Sequence, residues 1–229
     1  PCDAANNSAS AAFARYSGTT YKSAFNDDYE DNAYVGFKYG TAGSSTYEAT
    51  HANTNNSTIL TNLETWYNNN LKAYESVIDD NVWCNDKSVS SGLGYAKNVT
   101  YYGATQRLVS KSNSAGGTGP SLKCNGELSK INSKVGLITA DELAYAGYAY
   151  GLGNTTTYLQ ENATDTYWWS LSPSSFDGGY DRVWFVGGSD GNFYNDYVGF
   201  TFGVRPSISL ISSISVTGSG TSENPYKVV

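Results

Sequence analysis

"WWSLSPSSFDGGYDRVWFVGGSDGNFYNDYVGFTFGVRP", residues 168–206, is the stretch on which the fold turns. Between Tyr167 and Phe202 it carries 12 aromatics in 36 residues, against 14% for the whole chain. They are set among Gly, Ser, Asn and Asp rather than among Leu and Ile. A disordered tail has few aromatics, and pleated surfaces accept them well. Short strands separated by Gly/Asp/Asn turns are therefore expected from Tyr167 onward. Trp168, Phe185, Phe202 and Val204 are read as facing inward, and alternation then sends Trp184 and several tyrosines outward.

No lysine lies between Lys134 and Lys227. Binding surfaces are rich in Tyr and Trp and poor in Lys, and paratopes add Ser, Gly and Asn. A rigid ring covers much area for two torsions, whereas lysine gives up rotamer freedom. The stretch thus reads as a binding surface on a β scaffold. Its contact set is Ser174, Ser175, Asp177, Tyr180, Trp184, Asp190, Asn192, Tyr194, Asn195, Asp196 and Tyr197. Aromatic faces would supply apolar area or stack on sugar rings, and Asn, Asp and Ser would supply hydrogen bonds.

Upstream, two helices are legible. In "NNSTILTNLETWYNNNL" the residues Ile59, Leu60, Leu63, Trp66, Tyr67 and Leu71 fall at helical spacing, Asn56 or Ser57 is placed to cap, and the helix is expected to run toward Val77. In "GLITADELAYAGYAYG" Thr139 and Glu142 form a capping box, with Gly151 as the stop. "AYVGFKYG" (33–40) alternates like a strand, and residues 84–135 read as loops with short strands. The class is α+β in one domain, 1–229, with residues 1–32 readable as an N-terminal extension.

The chain has 229 residues, 15% charged, with a net charge of −7. That composition suits an extracellular, loop-rich domain, and no basic stripe exists to hold phosphates, so nucleic acid is not an expected partner. Nothing resembles a membrane span or a signal peptide, so an anchor or signal, if there is one, is expected outside this chain.

Of the three cysteines, Cys2, Cys84 and Cys124, none sits in a CxxC pair, which argues against zinc. One disulfide, Cys84–Cys124, is expected, closing about 40 residues and worth about 3–4 kcal/mol. Three buried free thiols are the other reading. His51 is the one histidine and is read as a solvated loop residue. No catalytic set or metal cluster can be assembled. Asp190 in "GSDGNFYND" lacks the EF-hand spacing and fits a hairpin turn better. No cofactor is expected, with calcium left open because scattered carboxylates and carbonyls can assemble a site. Asp141 and Glu142 are accounted for by capping and the helix dipole.

The motifs also carry a resemblance. "GLITADELAYAG" is similar to the helix entry of formylglycine-generating-enzyme-like domains. "WWSLSP", "RVWFVGG" and "FGVRPSISL" resemble the end of that fold, in that order. These domains belong to the wider C-type lectin fold. Most of residues 33–229 further resembles a set of bacterial surface proteins sharing "THANTNNSTI", "WCND", "PSLKC", "GLITADE", "GVRP" and a "TGSGT" ending. The resemblance implies a C-type-lectin-like fold with two helices, short antiparallel strands and long loops. It does not imply the enzyme activity: no cysteine follows Cys124 to form the late reactive pair, and the iron-dependent relatives need a histidine cluster. The same scaffold serves the variable proteins of diversity-generating retroelements, whose ligand positions near the C-terminus are rich in Asn, Tyr, Asp, Ser and Gly, as residues 174–200 are. The expectation is a secreted or cell-surface binding protein whose partner is a protein or glycan on another cell, phage or host surface. The rivals are a pilus or surface-layer subunit and, disfavoured, an enzyme of formylglycine-generating type.

Overall fold

The computed structural model describes residues 15–16, 19–161, 166–221, 223–224 and 226–229; Cys2 lies outside them. The architecture is α+β. A seven-stranded sheet is built from β1 (Lys22–Ser23), β3 (Val89–Ser91), β4 (Thr100–Tyr102), β6 (Trp168–Phe176), β7 (Asp181–Val186), β8 (Phe193–Tyr197) and β9 (Phe202–Gly203). Its main path runs β8-β7-β6-β9-β1, with β4 also on β6 and β3 on β4. All pairings are antiparallel except β6 with β9, where Trp168 lies opposite Gly203. A separate ribbon joins β2 (Asn81–Cys84) to β5 (Lys130–Ser133).

The central strand β6 is buried along all nine residues. Its register against β7 shifts on either side of Pro173. A proline has no N–H to give the ladder and is tolerated at such bulges. Adjacent Trp168 and Trp169 point to opposite faces, as strand geometry requires. Trp169 joins Leu171, Val183, Phe185, Val198 and Val204 in one cluster, covered by Ile59, Leu60, Leu63, Trp66 and Tyr67 of α1 (Thr58–Asn70). Trp168 joins Trp184, Val186 and Phe193 in a second, covered by α2 (Gly103–Leu108), α3 (Ala140–Tyr145) and Tyr148. The sheet is therefore sandwiched between helices.

That sandwich corrects the reading of Trp184. It is fully buried, 0% exposed, under α3 and the segment that follows. Its strand reads Val183-Trp184-Phe185-Val186 without alternation, which is the pattern of a strand covered on both faces.

The helix signals hold in part. Ser57 caps α1 by accepting from the Leu60 N–H, and Asn70 ends it; a 3₁₀ turn, Lys72–Val77, continues the chain. The capping box of Thr139 and Glu142 is present. The stop is Gly147, at φ +98°, rather than Gly151; its N–H donates to Ala144 O, and that of Tyr148 to Leu143 O. The helix is accordingly short. Helix α2 and two four-residue helices, Tyr47–Thr50 and Tyr158–Glu161, were not expected. The strand expected over 33–40 is mostly a 3₁₀ turn, Asn32–Val35, capped by Asp31; only Lys38–Tyr39 pairs, with Asn55–Asn56. Residues 22–25 join the main sheet and the core through β1 and Phe25.

Cys84 and Cys124 form a disulfide, Cα–Cα 5.5 Å across a separation of 40 residues. Among the described residues no helix is long and apolar enough to cross a membrane.

Candidate functional site: an aromatic ladder

The two clusters absorb much of the aromatic content but not all of it. Along one border of the sheet six rings form a continuous series. Tyr29 stacks on Tyr180 at 5.3 Å, Tyr180 meets Tyr197 at a tilt at 4.5 Å, and Tyr197 meets Phe200 at a tilt at 5.7 Å. Phe200 stacks on Phe202 at 6.0 Å, and Phe202 meets the edge of Tyr167 at 5.4 Å. Tyr180, Phe200 and Tyr167 are 44%, 46% and 51% exposed; Tyr29, Tyr197 and Phe202 are half-buried. The ladder draws on the loop before the 3₁₀ turn, the β7 hairpin, β8, the turn after it, β9 and the entry to β6.

The ladder is held by its own polar frame. Asp177 Oδ1 accepts the N–H groups of Gly179 and Tyr180 at 3.0 and 2.8 Å, closing the hairpin turn. Its Oδ2 receives Arg182 at 3.2 Å, and the Arg182 guanidinium lies 4.2 Å over the Tyr197 ring. Partial burial opposes ionisation of Asp177, but the two backbone N–H groups and Arg182 outweigh it and hold the carboxyl below the usual range. Beneath the turn Asp181 is fully buried. Its backbone N–H donates to Tyr29 O at 2.9 Å and its carbonyl accepts from Val198 at 3.1 Å, tying two ladder segments together. Neither carboxyl oxygen makes a well-formed hydrogen bond, although the backbone N–H groups of Asp31 and Tyr34 are close enough to favour its ionised form. Burial, with Asp31 and Asp177 nearby, pushes this carboxyl well above its ordinary value. At the far end the ladder opens on a cleft of about 420 Å³ lined by Lys22, Thr166, Tyr167, Ser189, Thr201 and Phe202.

The residues expected to form one contact face divide three ways. Tyr180, Tyr197 and Asp177 belong to the ladder. Ser174, Ser175 and Trp184 are buried and are not surface groups; the hydroxyl of Ser174 is spent on Thr105 at 3.0 Å. The others lie along β8 and the turn before it. Tyr194 packs on Tyr150 at 5.4 Å, and Asp190 Oδ1 accepts the Asn192 N–H at 3.0 Å in the hairpin turn. Asn195 lies opposite Trp184, and Asp196 opposite Val183. Tyr29, Tyr167, Phe200 and Arg182 were missed, and Phe202, expected to face inward, is half-buried against Trp169 (4.4 Å) and Phe185 (5.1 Å) of the first cluster. Tyr29 lies more than 130 residues from the stretch in which the surface was sought.

Two polar centres lie inside the protein. Arg107 bridges Asp86 (2.8 Å) and Asp141 (2.6 Å), with all three side chains nearly buried. Asp141 is thus an ion-pair partner and not only a helix-dipole residue. Lys87 is fully buried without a carboxylate partner, and its Nζ donates to Lys38 O, His51 O and Asn53 Oδ1. Burial, with Lys38 nearby, pushes Lys87 down to about 7. His51 is also fully buried, contrary to its reading as a solvated residue, between Tyr47 and Tyr102. Nε2 donates to Gly94 O at 2.9 Å, and burial, with Lys87 adding, pushes the imidazole down to about 3. Arg107 and Lys87 are spent on internal partners and serve the loops they join, whereas Nδ1 of His51 is buried without a hydrogen-bond partner.

No family model matches the chain, and no curated protein or solved structure is similar to it.

Proposed function

We propose that the protein is a secreted or cell-surface ligand-binding domain of C-type-lectin-like fold, with the aromatic ladder as its contact face. One observation carries the reading: six rings in unbroken contact, three of them about half exposed. A contiguous exposed apolar strip costs solubility and marks interaction sites. Tyr is the residue type that anchors interfaces at low entropic cost. The disulfide suits an oxidising compartment. A helix-flanked antiparallel sheet supports the lectin-like fold, as does the order of the helix-entry, hairpin and closing-strand motifs.

The loops and hairpins that carry the ladder fit the finer reading, a variable protein of a diversity-generating retroelement. That reading is tested in the genome: a reverse transcriptase beside a near-copy of the 3′ coding region, differing at adenines, would bear it out. The contact face is tested by screening the domain against immobilised extracellular proteins and glycans beside a Tyr180→Ala/Tyr197→Ala/Phe200→Ala variant that still melts cooperatively. Ligands retained by the wild type and lost by the variant support the ladder; ligands bound equally by both reject it.

A further inference from the structure

We propose that residues 27–30 form a proton-gated lid over Asp181, closed while that carboxyl is protonated and released when it ionises, so that Tyr29 leaves the ladder. The proposal does not depend on what the ladder binds.

The carboxyl is enclosed without compensation. Asp181 is 0% exposed, and neither oxygen makes a well-formed hydrogen bond. No ion pair among the described residues includes it. The ionisable groups that face it are Asp31 beside the 3₁₀ turn, Asp177 of the hairpin, and the phenols of Tyr34 and Tyr102; Arg182, next in the chain, is held by Asp177. The backbone N–H groups of Asp31 and Tyr34 favour the charge, but burial and the two carboxyl groups oppose it more strongly. An unpaired charge in such a site is relieved either by taking a proton or by admitting water.

Most of the enclosure is core. Phe176 lies opposite Asp181 on β6, and Phe176, Tyr102, Ala33 and Val35 are all 0% exposed. The remaining side is residues 27–30. The Asp181 N–H is bonded to Tyr29 O, and one N–H near the carboxyl belongs to the Glu30–Asp31 peptide. This side is thin: Asp27, Asp28 and Glu30 are exposed and Tyr29 is half-buried. It is held by that bond at 2.9 Å, by the Asp27 N–H donating to Thr58 Oγ1 at 3.0 Å, and by the Tyr29–Tyr180 stack. The Lys97–Glu30 pair joins side chains 62% and 61% exposed and adds little. Both ends are fixed. The Asn26 N–H donates to Val198 O beside buried Phe25, and Asp31 accepts the N–H groups of Ala33 and Gly43. A segment with few buried apolar contacts between anchored ends opens locally before the fold does. Opening parts Tyr29 from Tyr180 and gives Asp181 to water, where a carboxyl ionises near about pH 3.9.

Native-state hydrogen exchange of the Asp181 amide, followed by NMR and corrected for the intrinsic exchange rate, reads the lid. Above about pH 4 its opening constant should rise about tenfold per pH unit, until the closed form itself ionises. Low urea should leave it unchanged, because lid opening exposes little surface. The Overhauser contact between the Tyr29 and Tyr180 rings should fade over the same range. In Asp181→Asn the opening constant should be flat with pH and the ring contact should persist. Tyr29→Ala, which removes the stack, should raise opening at every pH and keep the slope. A pH-independent opening constant in the wild type, equal slopes in the wild type and Asp181→Asn, or a ring contact that persists to about pH 9 overturns the proposal. Urea acceleration matching that of the Leu171 amide, deep in β6, also overturns it, since only global unfolding would then expose Asp181. Exchange indifferent to Tyr29→Ala overturns it too, since another segment would be the one that opens.

Discussion

The ring of Tyr180 packs against that of Tyr197 at 4.5 Å across the β7–β8 hairpin, where both meet solvent. Four residues after Tyr180, Trp184 is sealed between the sheet and α3. One hairpin therefore serves both the surface and the core. Truncation separates the two roles. Trp184→Ala removes a fully buried indole and should cost about 3–5 kcal/mol of folding free energy. Tyr180→Ala should cost about 1 kcal/mol or less, since only partial burial and stacking are lost. Chemical denaturation of the two variants reads the contrast directly, and equal losses would refute it.

What the sequence disclosed depends on how local the signal is. The spacing from Ile59 to Leu71 and the Thr139–Glu142 box act within a few residues, and both are found as helices. The disulfide was legible from composition and cysteine position. The burial of Trp184 had a signal, the unbroken Val-Trp-Phe-Val run, outweighed by an assumption that one sheet face is wet. The ladder had none. Tyr29, Phe200 and Tyr167 become neighbours of the hairpin only through tertiary pairing, such as Asp181 N–H to Tyr29 O. His51 looked like a surface residue, and Lys87 carried no signal at all, because nothing local announces that carbonyls of three separate segments converge on them.

Arg107 joins α2 to α3 through Asp141 and to the loop after β2 through Asp86. Replacing it with Met leaves two nearly buried carboxylates facing each other without a cation. Breaking such a network from one side costs about 3–5 kcal/mol. Arg107→Met should therefore be strongly destabilised, and adding Asp141→Asn should recover part of the loss because one stranded charge disappears. A single variant within about 1 kcal/mol of wild type in urea melts would show that water reaches the network and screens it.

Cys84 and Cys124 close a 40-residue loop that contains β3, β4 and α2. Without the bond the unfolded chain regains loop freedom worth about 3–4 kcal/mol. For a chain of this size, a loss of that order lowers the melting temperature by on the order of 10 °C. Cys84→Ser/Cys124→Ser, or the wild type under reductant, should show it by calorimetry. A melt unchanged by reductant, with two thiols alkylated at these positions, would refute the bond.

Asp181 sets a pH dependence whose sign can be worked out. Its folded pKa lies well above the unfolded carboxyl value of about 3.9 because burial disfavours the charge. Below about pH 4 both states hold the proton, and the group costs nothing. As pH rises further, the unfolded state releases the proton while the folded state keeps it, so stability falls at about 1.4 kcal/mol per pH unit until the folded pKa is reached. Two other buried groups act differently. His51, pushed down to about 3, withdraws stability as pH falls below about 6.5. Lys87, pushed down to about 7, makes stability rise with pH between about 7 and its unfolded value near 10.4. The wild-type curve alone therefore mixes three titrations, and a difference curve is needed. Asp181→Asn keeps the shape of the side chain and cannot ionise. Its stability relative to wild type should grow as pH rises above about 4, until the folded pKa of Asp181 is reached, in urea melts at fixed ionic strength. A difference that stays flat over that range would mean that Asp181 titrates alike in both states, with water reaching it beneath the ladder.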